Sequence, residues 1–341
     1  MKALVKRYAK PGIWMEDVPM PEVGVNDVLI KVKKAAICGT DLHMYKWDEW
    51  SQSHCTPPYT MGHEFVGEVA EVGPGVTRFH VGERVTAEGH IVCGHCRNCR
   101  RGMGHVCENT LSVGIMGKDG CFAEYVTIPE SNVVKLRDEI PDDFAAIMDP
   151  FGNATHTALA FPVLGEDVLI TGAGLIGTMA AGICRFAGAK HIVVTDVNQL
   201  RLDIAKKMGA TVTVNGAKGE TLEGAMEQLG IHGFDVGLEM SGAPAAFNDM
   251  IRHMYKGSNI AQLGILPSNT QVNWSDIIFN ALTLKGITGR RMWETWYQME
   301  QMLLGGLDLS PVITHRFKFD DFQKGFDVMV SGQCGKVLLE W

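Results

Sequence analysis

A glycine-rich turn at residues 172–177 narrows the possible folds of this chain more than any other feature of its sequence. The segment VLITGAGLIGTMAA places Gly172, Gly174 and Gly177 in the spacing G-x-G-x-x-G, between a strand-like apolar run and an amphipathic, helix-like stretch. In that context the glycines permit a tight turn, a close approach of the backbone to a pyrophosphate, and packing of helix on strand. The motif therefore predicts a dinucleotide at the start of this helix, where free N–H groups and the positive dipole end face the phosphates.

The residue that closes the next predicted strand, HIVVTD, favours one dinucleotide over another. This is Asp196, which lies 19 residues after Gly177. A carboxylate there can accept hydrogen bonds from the ribose diol of adenosine and repels a 2′-phosphate, which favours NAD over NADP. Arg201 follows and could pack against the adenine or the ribose, or weaken this discrimination. The alternative is a glycine-rich turn in a sheet that binds another ligand.

Strands and helices alternate around this motif from about residue 149 onwards. Several apolar runs are almost continuous, as expected for parallel strands that helices cover on both faces. Six such strands joined by crossovers make a complete doubly wound α/β sheet. The predicted strands are 167–172, 191–196, 211–215, 234–240, 259–264 and 283–288.

The first 140 residues or so have a different pattern, with short runs rich in Val, Ile and Gly that turns interrupt. DVLIKVKKAAI, EFVGEVAEVG and ERVTAEGHI are typical of strands, and no strong helical period is visible. We expect an all-β, barrel-like unit. The tail ends in GKVLLEW, a strand expected to return to this unit. The predicted domains are therefore 1–148, completed by 297–341, and 149–296.

Charge and composition argue against several classes of protein. The chain carries 39 acidic and 31 basic side chains, and no run of Lys and Arg exceeds a pair, which disfavours binding to nucleic acid or an anionic membrane. No apolar stretch is long enough to span a bilayer, and the start, MKALVKRYAK, lacks the apolar core of a signal peptide. We expect a cytoplasmic protein. Reducing conditions there make metal binding a better interpretation of the nine cysteines than disulfides.

One cysteine group lies within a single segment, CGHCRNCRRGMGHVC. Four thiolates this close can surround a tetrahedral Zn²⁺ and leave no position for a substrate, so the predicted zinc is structural. The alternatives are disulfides and an iron–sulfur cluster, although the bacterial cluster-binding run has its fourth cysteine sooner and a proline after it. The predicted ligands are Cys93, Cys96, Cys99 and Cys107.

A second group combines Cys38, in ICGTDLH, with His63 and Glu64, in YTMGHEFVGEVAEVG. On facing strands of one barrel, a thiolate, an imidazole and a carboxylate form an open metal site with a position left for water or substrate. A further ligand could come from the domain junction, where Asp149 is the candidate.

An open site of this kind suits the oxidation of an alcohol by NAD⁺. Hydride transfer from the alcohol carbon also requires loss of the hydroxyl proton, and Zn²⁺ can act on that oxygen as a Lewis acid. Thr40 and His43 follow Cys38 closely and offer a hydroxyl and an imidazole that could pass the proton to solvent. The alternative is that both are ordinary polar residues at the end of a strand.

Taken in order, ICGTDLH, GHEFVGEVAEVG, the four-cysteine segment and GAGLIG resemble the zinc-dependent medium-chain alcohol dehydrogenases over essentially the whole chain. The resemblance implies a GroES-like catalytic domain and a Rossmann domain, with one catalytic and one structural zinc ion per chain. It implies that Cys38, His63 and Glu64 hold the catalytic zinc and that Thr40 and His43 relay the proton. Asp149 would assist this relay without firm contact to zinc.

Finer features, among them KWDEWSQ, DPFGNATHTAL and GRRMWETWY, are similar to members of this family that act on L-threonine. The similarity implies NAD-dependent oxidation of the 3-hydroxyl of L-threonine to L-2-amino-3-oxobutanoate, by a homotetramer. Besides the three glycines, the positions that match the NAD site of the family are Ile176, Asp196, Arg201, Leu263, Gly264, Ile265, Ile287 and Thr288.

Two other functions are compatible with these motifs. A polyol dehydrogenase of the same family, acting on butanediol or sorbitol, could use the same ligands, because the zinc chemistry is indifferent to the rest of the substrate. A non-catalytic protein that binds zinc and a nucleotide could also keep this fold, although the intact set of Cys38, His63 and Glu64 argues against it.

Overall fold

The computed structural model describes residues 1–341, which form two compact units. Unit 1 consists of Met1–Asp149 and Ile313–Trp341, and unit 2 consists of Pro150–Val312. The tail therefore joins unit 1 at Ile313, and the boundary expected at residue 297 is wrong. A helix over Glu294–Leu304 continues unit 2, and beyond it Leu307 packs beside Gly182 of the same unit.

The N-terminal part of unit 1 is built from short strands, as its Val- and Ile-rich runs predict. Its central strand, β3, covers Asp27–Ile37, the full length of DVLIKVKKAAI. The strands are β1 (Lys2–Lys6), β2 (Trp14–Asp17), β3 (Asp27–Ile37), β4 (Tyr59–Thr60), β5 (Phe65–Val72), β6 (Arg84–Ala87), β7 (His90–Ile91), β8 (Leu111–Val113), β9 (Gly117–Lys118), β10 (Tyr125–Pro129) and β11 (Val133–Lys135).

Unit 1 also contains helices before residue 140, which the expectation of an all-β unit missed. The helices of the N-terminal part, with the first of unit 2, are α1 (Gly39–Lys46), α2 (Glu49–His54), α3 (Arg97–Arg100), α4 (Asp142–Ala145) and α5 (Met148–Ala158). α1 and α2 lack a long apolar face, so their periodicity gives little signal. Local caps start them instead: the Asp41 carboxylate accepts from Cys38 N before α1, and that of Asp48 accepts from Ser51 N before α2.

Unit 2 has the predicted doubly wound architecture: its six strands are all parallel, in the order β14-β13-β12-β15-β16-β17. The strands are β12 (Asp167–Thr171), β13 (His191–Asp196), β14 (Val212–Asn215), β15 (Phe234–Glu239), β16 (Met254–Gln262) and β17 (Thr283–Gly286). The helices are α6 (Leu175–Phe186), α7 (Gln199–Lys207), α8 (Leu222–Leu229), α9 (Pro244–His253), α10 (Trp274–Phe279) and α11 (Glu294–Leu304). The strand order reverses between β12 and β15, the point at which ligands bind such sheets.

The tail adds β18 (Ile313–Lys318), α12 (Phe322–Ser331) and β19 (Lys336–Glu340) to unit 1. β19 pairs antiparallel with β3, so the expected return of GKVLLEW to the first unit is confirmed. The main sheet has the order β11-β6-β5-β3-β19-β18, with β10 also paired to β3. Phe326 of α12 meets Phe122 edge-on in the shared core, with ring centroids 6.5 Å apart. The tail is therefore an integral part of unit 1.

None of the helices combines the length and the apolar character that a membrane crossing needs.

Candidate functional site

The ends of two adjacent strands bring Cys38, His63 and Glu64 together. β3 and β5 are antiparallel, with Ala35 opposite Phe65, and Ala36 N donates to Glu64 O at 2.9 Å. Cys38 follows β3 directly, while His63 and Glu64 precede β5 directly. Their potential ligand atoms all lie within 4.8 Å of one another. The fold thus makes a compact set of sulfur, nitrogen and oxygen donors from residues 25 positions apart along the chain.

The sheet also places a buried lysine, Lys336, beside this centre. Because Val337 of β19 lies opposite Ile37 of β3, the Lys336 ammonium reaches to 2.6 Å from Glu64 Oε2 and donates to Ile37 O at 2.9 Å. Burial lowers the pKa of Lys336, but the charges of Glu64 and Cys38 outweigh burial, so the pKa lies above its ordinary value. Burial also raises the pKa of Glu64, which Lys336 offsets in part. The sequence analysis missed Lys336; its one signal is a lysine at the start of a strand expected to be buried.

A second missed residue, Asp41, lies on the other side of the centre and has no exposed surface. Its Oδ2 accepts from Cys38 N at 2.8 Å, and its Oδ1 lies 3.7 Å from His63 Nδ1. Burial raises the pKa of Asp41. Burial lowers the pKa of His63, but the negative charges of Asp41 and Cys38 outweigh burial. The net result is a raised pKa of about 10. The centre therefore favours an added positive charge.

These properties fit a divalent cation. His63 Nδ1 and Asp41 Oδ1 are buried without a hydrogen-bond partner, a costly arrangement that a cation bound at this centre would relieve. A thiolate, an imidazole and a carboxylate form a donor set typical of Zn²⁺ with an open position.

The three residues predicted to handle the proton lie at or near this centre. Thr40 Oγ1 is 3.7 Å from Cys38 Sγ, and His43 lies one turn further along α1, with 57% of its side chain exposed. Helix α1 thus carries a hydroxyl next to the buried centre and an imidazole next to solvent. The His43 Nδ1 contacts the Asp48 carboxylate, which the sequence analysis did not predict. Asp149 is buried and raises the pKa of His63, but it lies outside the three-ligand group.

The four predicted cysteines of the other group also converge, with all their sulfur atoms within 4.8 Å of one another. The Cys93 and Cys107 sulfurs are 3.5 Å apart, and those of Cys96 and Cys107 are 3.9 Å apart. Zn–S bonds of about 2.3 Å in a tetrahedron place sulfurs roughly 3.8 Å apart, so the spacing fits a closed zinc site.

Main-chain N–H groups stabilise thiolates in this group, as metal binding requires. Cys96 N donates to Cys93 Sγ and Cys99 N donates to Cys96 Sγ, both at 3.4 Å. Hydrogen bonds from the backbone of His95 and the side chain of Asn109 lower the pKa of Cys93 to about 6. Burial and the neighbouring sulfurs raise the pKa of Cys99 to about 12, and a bound cation would favour the thiolate form of this residue.

A cleft of about 740 Å³ lies in unit 2, next to the glycine-rich turn. Gly172 has a φ of +91°, and a Cβ at Gly177 would lie 1.9 Å from Gly172 O, so the turn and the helix packing both require glycine. A Cβ at Gly174 would meet no atom within 4 Å, which leaves its backbone open to a ligand. Asp196 and Arg201 also line the cleft.

The Asp196 carboxylate has a second role that the sequence did not reveal. Its Oδ2 accepts from Ala173 N at 2.7 Å, and its Oδ1 accepts from Val197 N at 2.7 Å and Asn198 N at 2.9 Å. The residue therefore holds the glycine-rich turn in shape while it lines the cleft.

The remaining residues predicted to contact NAD are not among those that line this cleft. Ile176 and Gly177 lie in the first turn of α6. The others follow the carboxyl ends of β16 and β17, beyond the point where the strand order reverses: Leu263, Gly264, Ile265, Ile287 and Thr288.

Comparison with known families agrees with this architecture. Residues 24–138 match the alcohol dehydrogenase GroES-like domain, and residues 176–305 match the zinc-binding dehydrogenase family. The chain belongs to the zinc-dependent medium-chain dehydrogenases, which confirms the predicted family and fold class.

Within that family, similar relatives share one name. The L-threonine 3-dehydrogenase of Proteus mirabilis is 59% identical, over 100% of both chains. That of Aeromonas hydrophila is 60% identical, over 100% of this chain and 99% of its own. Among solved structures, 2R,3R-butanediol dehydrogenase from Bacillus subtilis has a TM-score of 0.90 and 28% identity, over 100% of this chain and 99% of its own. Galactitol-1-phosphate dehydrogenase from Escherichia coli has a TM-score of 0.90 and 27% identity, over 100% of both chains.

Proposed function

We propose that this chain is an NAD-dependent L-threonine 3-dehydrogenase. It oxidises the 3-hydroxyl of L-threonine: a hydride passes from C3 to NAD⁺, the hydroxyl proton passes to solvent, and L-2-amino-3-oxobutanoate and NADH form. The observation that carries this proposal is the sequence identity of 59% and 60%, over the whole chain, to two relatives of that name. The buried centre of unit 1 provides residues suited to this chemistry.

Two zinc ions per chain fit the donors that the fold brings together. Cys38, His63 and Glu64 would hold the catalytic ion, which supplies Lewis-acid activation of the substrate hydroxyl when bound. The four-cysteine group would hold a structural ion that keeps its lobe folded. The charges of Asp41 and Lys336 hold the donors of the open site in place.

The side chains of α1 provide the route for the proton. Thr40, beside Cys38, accepts the proton of the substrate hydroxyl, and His43 delivers it to solvent. Because the His43 Nδ1 contacts Asp48, the other ring nitrogen is the one available to accept a proton. Asp149 assists from beside His63, where it adds negative charge without joining the three ligands.

The unit 2 cleft would hold the adenosine half of NAD. Gly174 offers an open backbone to the pyrophosphate, and Asp196 offers its carboxylate to the ribose diol, with Arg201 beside it. Asp196 Oδ2 accepts one backbone bond, from Ala173 N, and so keeps acceptor capacity for the diol. Further contacts with NAD would come from Ile176, Gly177, Leu263, Gly264, Ile265, Ile287 and Thr288.

We also propose that the chain forms a homotetramer in the cytoplasm. An exposed edge of unit 2 supports the assembly. β17 lies at the edge of its sheet, and all four of its residues are exposed. Trp274, Ile278 and Phe279 of the preceding α10 are also exposed, and a second copy of the chain would cover this apolar edge. Light scattering in solution tests the proposed mass of four chains. The substrate is a small molecule, and neither nucleic acid nor a membrane takes part.

The decisive assay is NADH formation with L-threonine, 2R,3R-butanediol and sorbitol under the same conditions. We expect the highest kcat/KM with L-threonine. A much higher value with a diol would replace this assignment with a polyol dehydrogenase, which the structural similarity to butanediol dehydrogenase makes the second candidate. No turnover of any alcohol, with zinc and NADH bound, would indicate a non-catalytic binding protein.

A further inference from the structure

A buried carboxylate in unit 2, Glu239, has more hydrogen-bond donors around it than any role assigned so far explains. It is the last residue of β15, it has no exposed surface, and β15 adjoins β12 where the strand order reverses. Its Oε1 accepts from Thr171 Oγ1 at 3.3 Å, from Ser241 N at 2.9 Å and from the Ser241 hydroxyl. Gly242 N donates to the same oxygen at 3.1 Å. Gln262 Nε2 donates to the other oxygen, Oε2, at 2.7 Å.

These donors lie at the carboxyl ends of the strands and in the loops that follow them. Ser241 and Gly242 form the loop after β15, and Gln262 is the last residue of β16. The backbone of Glu239 adds to the same assembly, because its carbonyl accepts from Leu263 N and Gly264 N, each at 2.9 Å. Glu239 therefore ties the loop after β15 to the loop after β16.

The two loops lie so close together that their glycines have no room for a side chain. A Cβ at Gly264 would lie 2.2 Å from Glu239 Oε2 and 2.4 Å from Gly242 N. Gly242 has a φ of +64°, and a Cβ there would lie 2.8 Å from Ile265 O. Only glycine fits at positions 242 and 264, because the two loops meet there around the Glu239 carboxylate.

The position of these loops relates them to one half of a dinucleotide. In doubly wound sheets the dinucleotide lies across the point where the strand order reverses, with one nucleotide on each side. The glycine-rich turn and Asp196 lie on the β12–β13 side, where Met240 and Ser241 also line the cleft, whereas residues 263–265 follow β16 and are not part of the cleft lining. We propose that Glu239 is a positioning residue that holds residues 263–265, the loop after β16, in place for the nicotinamide half of the cofactor. This inference rests on the proposed use of NAD and is independent of the substrate.

The acceptor-only character of a carboxylate is what the loops require. The main-chain N–H groups of Ser241 and Gly242 can only donate, and Gln262 presents its amide N–H₂ group, so a glutamine would direct its own N–H₂ group at other N–H groups in either orientation. At least one buried donor would then lack a partner, and the loops would move apart. If Glu239 only held the sheet together, its substitution would instead weaken the binding of both halves of the cofactor equally.

The test compares Glu239→Gln with a matched variant at the other end of the same strand. Asp235, near the start of β15, accepts from Asp167 N at 2.9 Å, so Asp235→Asn removes a comparable carboxylate away from the loops. Affinities are measured by NADH fluorescence and by calorimetry with ADP, which carries only the adenosine half. We expect Glu239→Gln to bind NADH about tenfold more weakly and ADP within about twofold of wild type. Asp235→Asn should leave both affinities within about twofold.

Equal weakening of NADH and ADP in Glu239→Gln, or no weakening of either, would overturn the proposal. A second variant, Gln262→Leu, keeps the carboxylate but removes its donor from the end of β16, and should show the same selective loss of NADH binding. It decides the matter if Glu239→Gln does not fold. Failure of the wild-type protein to oxidise L-threonine would overturn only the proposed substrate, because both affinities are measured without it.

Discussion

The two cysteine-containing centres of unit 1 differ in how far apart along the chain their residues lie. Cys93 and Cys107, the ends of the closed centre, belong to one short loop, and main-chain N–H groups of that loop bind their sulfurs. Cys38 and His63, in the open centre, come from the ends of different strands, and Lys336 reaches the neighbouring Glu64 from the tail. The closed centre is therefore a local structure, whereas the open centre depends on the whole fold of unit 1.

The two centres also differ in how they accommodate a cation. In the closed centre, hydrogen bonds from the loop lower the pKa of Cys93, and the four sulfurs lie within 4.8 Å of one another, a spacing that suits a tetrahedral ion. In the open centre, the charges of Asp41 and Cys38 raise the pKa of His63, and three donors leave a position free. Local bonds suit a site whose function is to hold a loop. Buried charge suits a site that has to act on a substrate.

The largest expected effect comes from removing the thiolate of the open centre. Cys38→Ser should lower kcat with L-threonine by roughly a thousandfold, because the Lewis acid is worth several kcal/mol to the transition state. Zinc content should fall from two ions per chain to one, and NADH affinity should change little. Assays of turnover, zinc and NADH binding on one preparation check all three expectations.

A matched control for that variant is Cys334→Ser, in the same unit. The Cys334 thiol donates to Val328 O at 3.7 Å, a bond that a serine hydroxyl can replace. Wild-type turnover and zinc content are expected. Full activity in Cys38→Ser would remove the open centre from the mechanism.

The next largest effect should be on stability and should come from the closed centre. Cys96→Ser removes the most buried of its four sulfurs, and we expect loss of one zinc ion and a Tm lower by roughly 5–10 °C. The segment 93–110 should become the preferred site of cleavage in limited proteolysis. Turnover per folded molecule should stay within about threefold of wild type. A thousandfold loss of turnover would show that the two centres are not distinct in function.

An intermediate effect on rate is expected from the proton route. His43→Ala should lower kcat by roughly a hundredfold, in the range found for a positioned proton-transfer group, and should leave zinc content unchanged. Thr40→Val should give a similar loss, and Thr40→Ser should restore most of the activity because it keeps the hydroxyl. An unchanged kcat in His43→Ala would show that His43 takes no part in the proton transfer.

The smallest effect concerns the ion pairs that connect the tail to the rest of unit 1. Asp143 accepts from Lys34 at 2.6 Å and from Arg316 of β18 at 2.6 Å. Burial raises the pKa of Asp143, but these hydrogen bonds outweigh burial, so the pKa lies below its ordinary value of 3.8. The unfolded chain therefore binds a proton first as pH falls, so this stabilisation is present above about pH 4 and is lost below it.

Asp143→Asn should consequently destabilise the protein by about 1–2 kcal/mol at neutral pH and by much less near pH 2. Chemical denaturation of wild type and variant at both pH values measures the difference. Asp142→Asn, one residue earlier, is the control, since its partner is Arg84 and not the tail. A difference that grows as pH falls would contradict the sign derived for Asp143.

Local patterns in the sequence predicted much of this molecule. The run DVLIKVKKAAI gave the bounds of β3, and the apolar runs of unit 2 gave its six parallel strands, because alternation and continuous burial are local signals. The spacing of Cys93 to Cys107 predicted their convergence for the same reason. Helices α1 and α2 were missed because capping residues and not apolar periodicity define them.

Contacts between distant segments account for the rest. Lys336 lies about 270 residues after Glu64 and meets it only because β19 pairs with β3. The five donors around Glu239 come from three separate segments of unit 2, so no spacing in the sequence indicates them. The boundary at Ile313 depends on the packing of residues 305–312 within unit 2, which short-range patterns do not show.

Anomalous diffraction at the zinc absorption edge, on crystals grown with NADH, tests the central claim most directly. The account predicts two peaks per chain: one among the four cysteines, and one within about 2.3 Å of the Cys38 sulfur, next to His63. A single peak among the four cysteines, in a preparation that oxidises L-threonine at full rate, would contradict it.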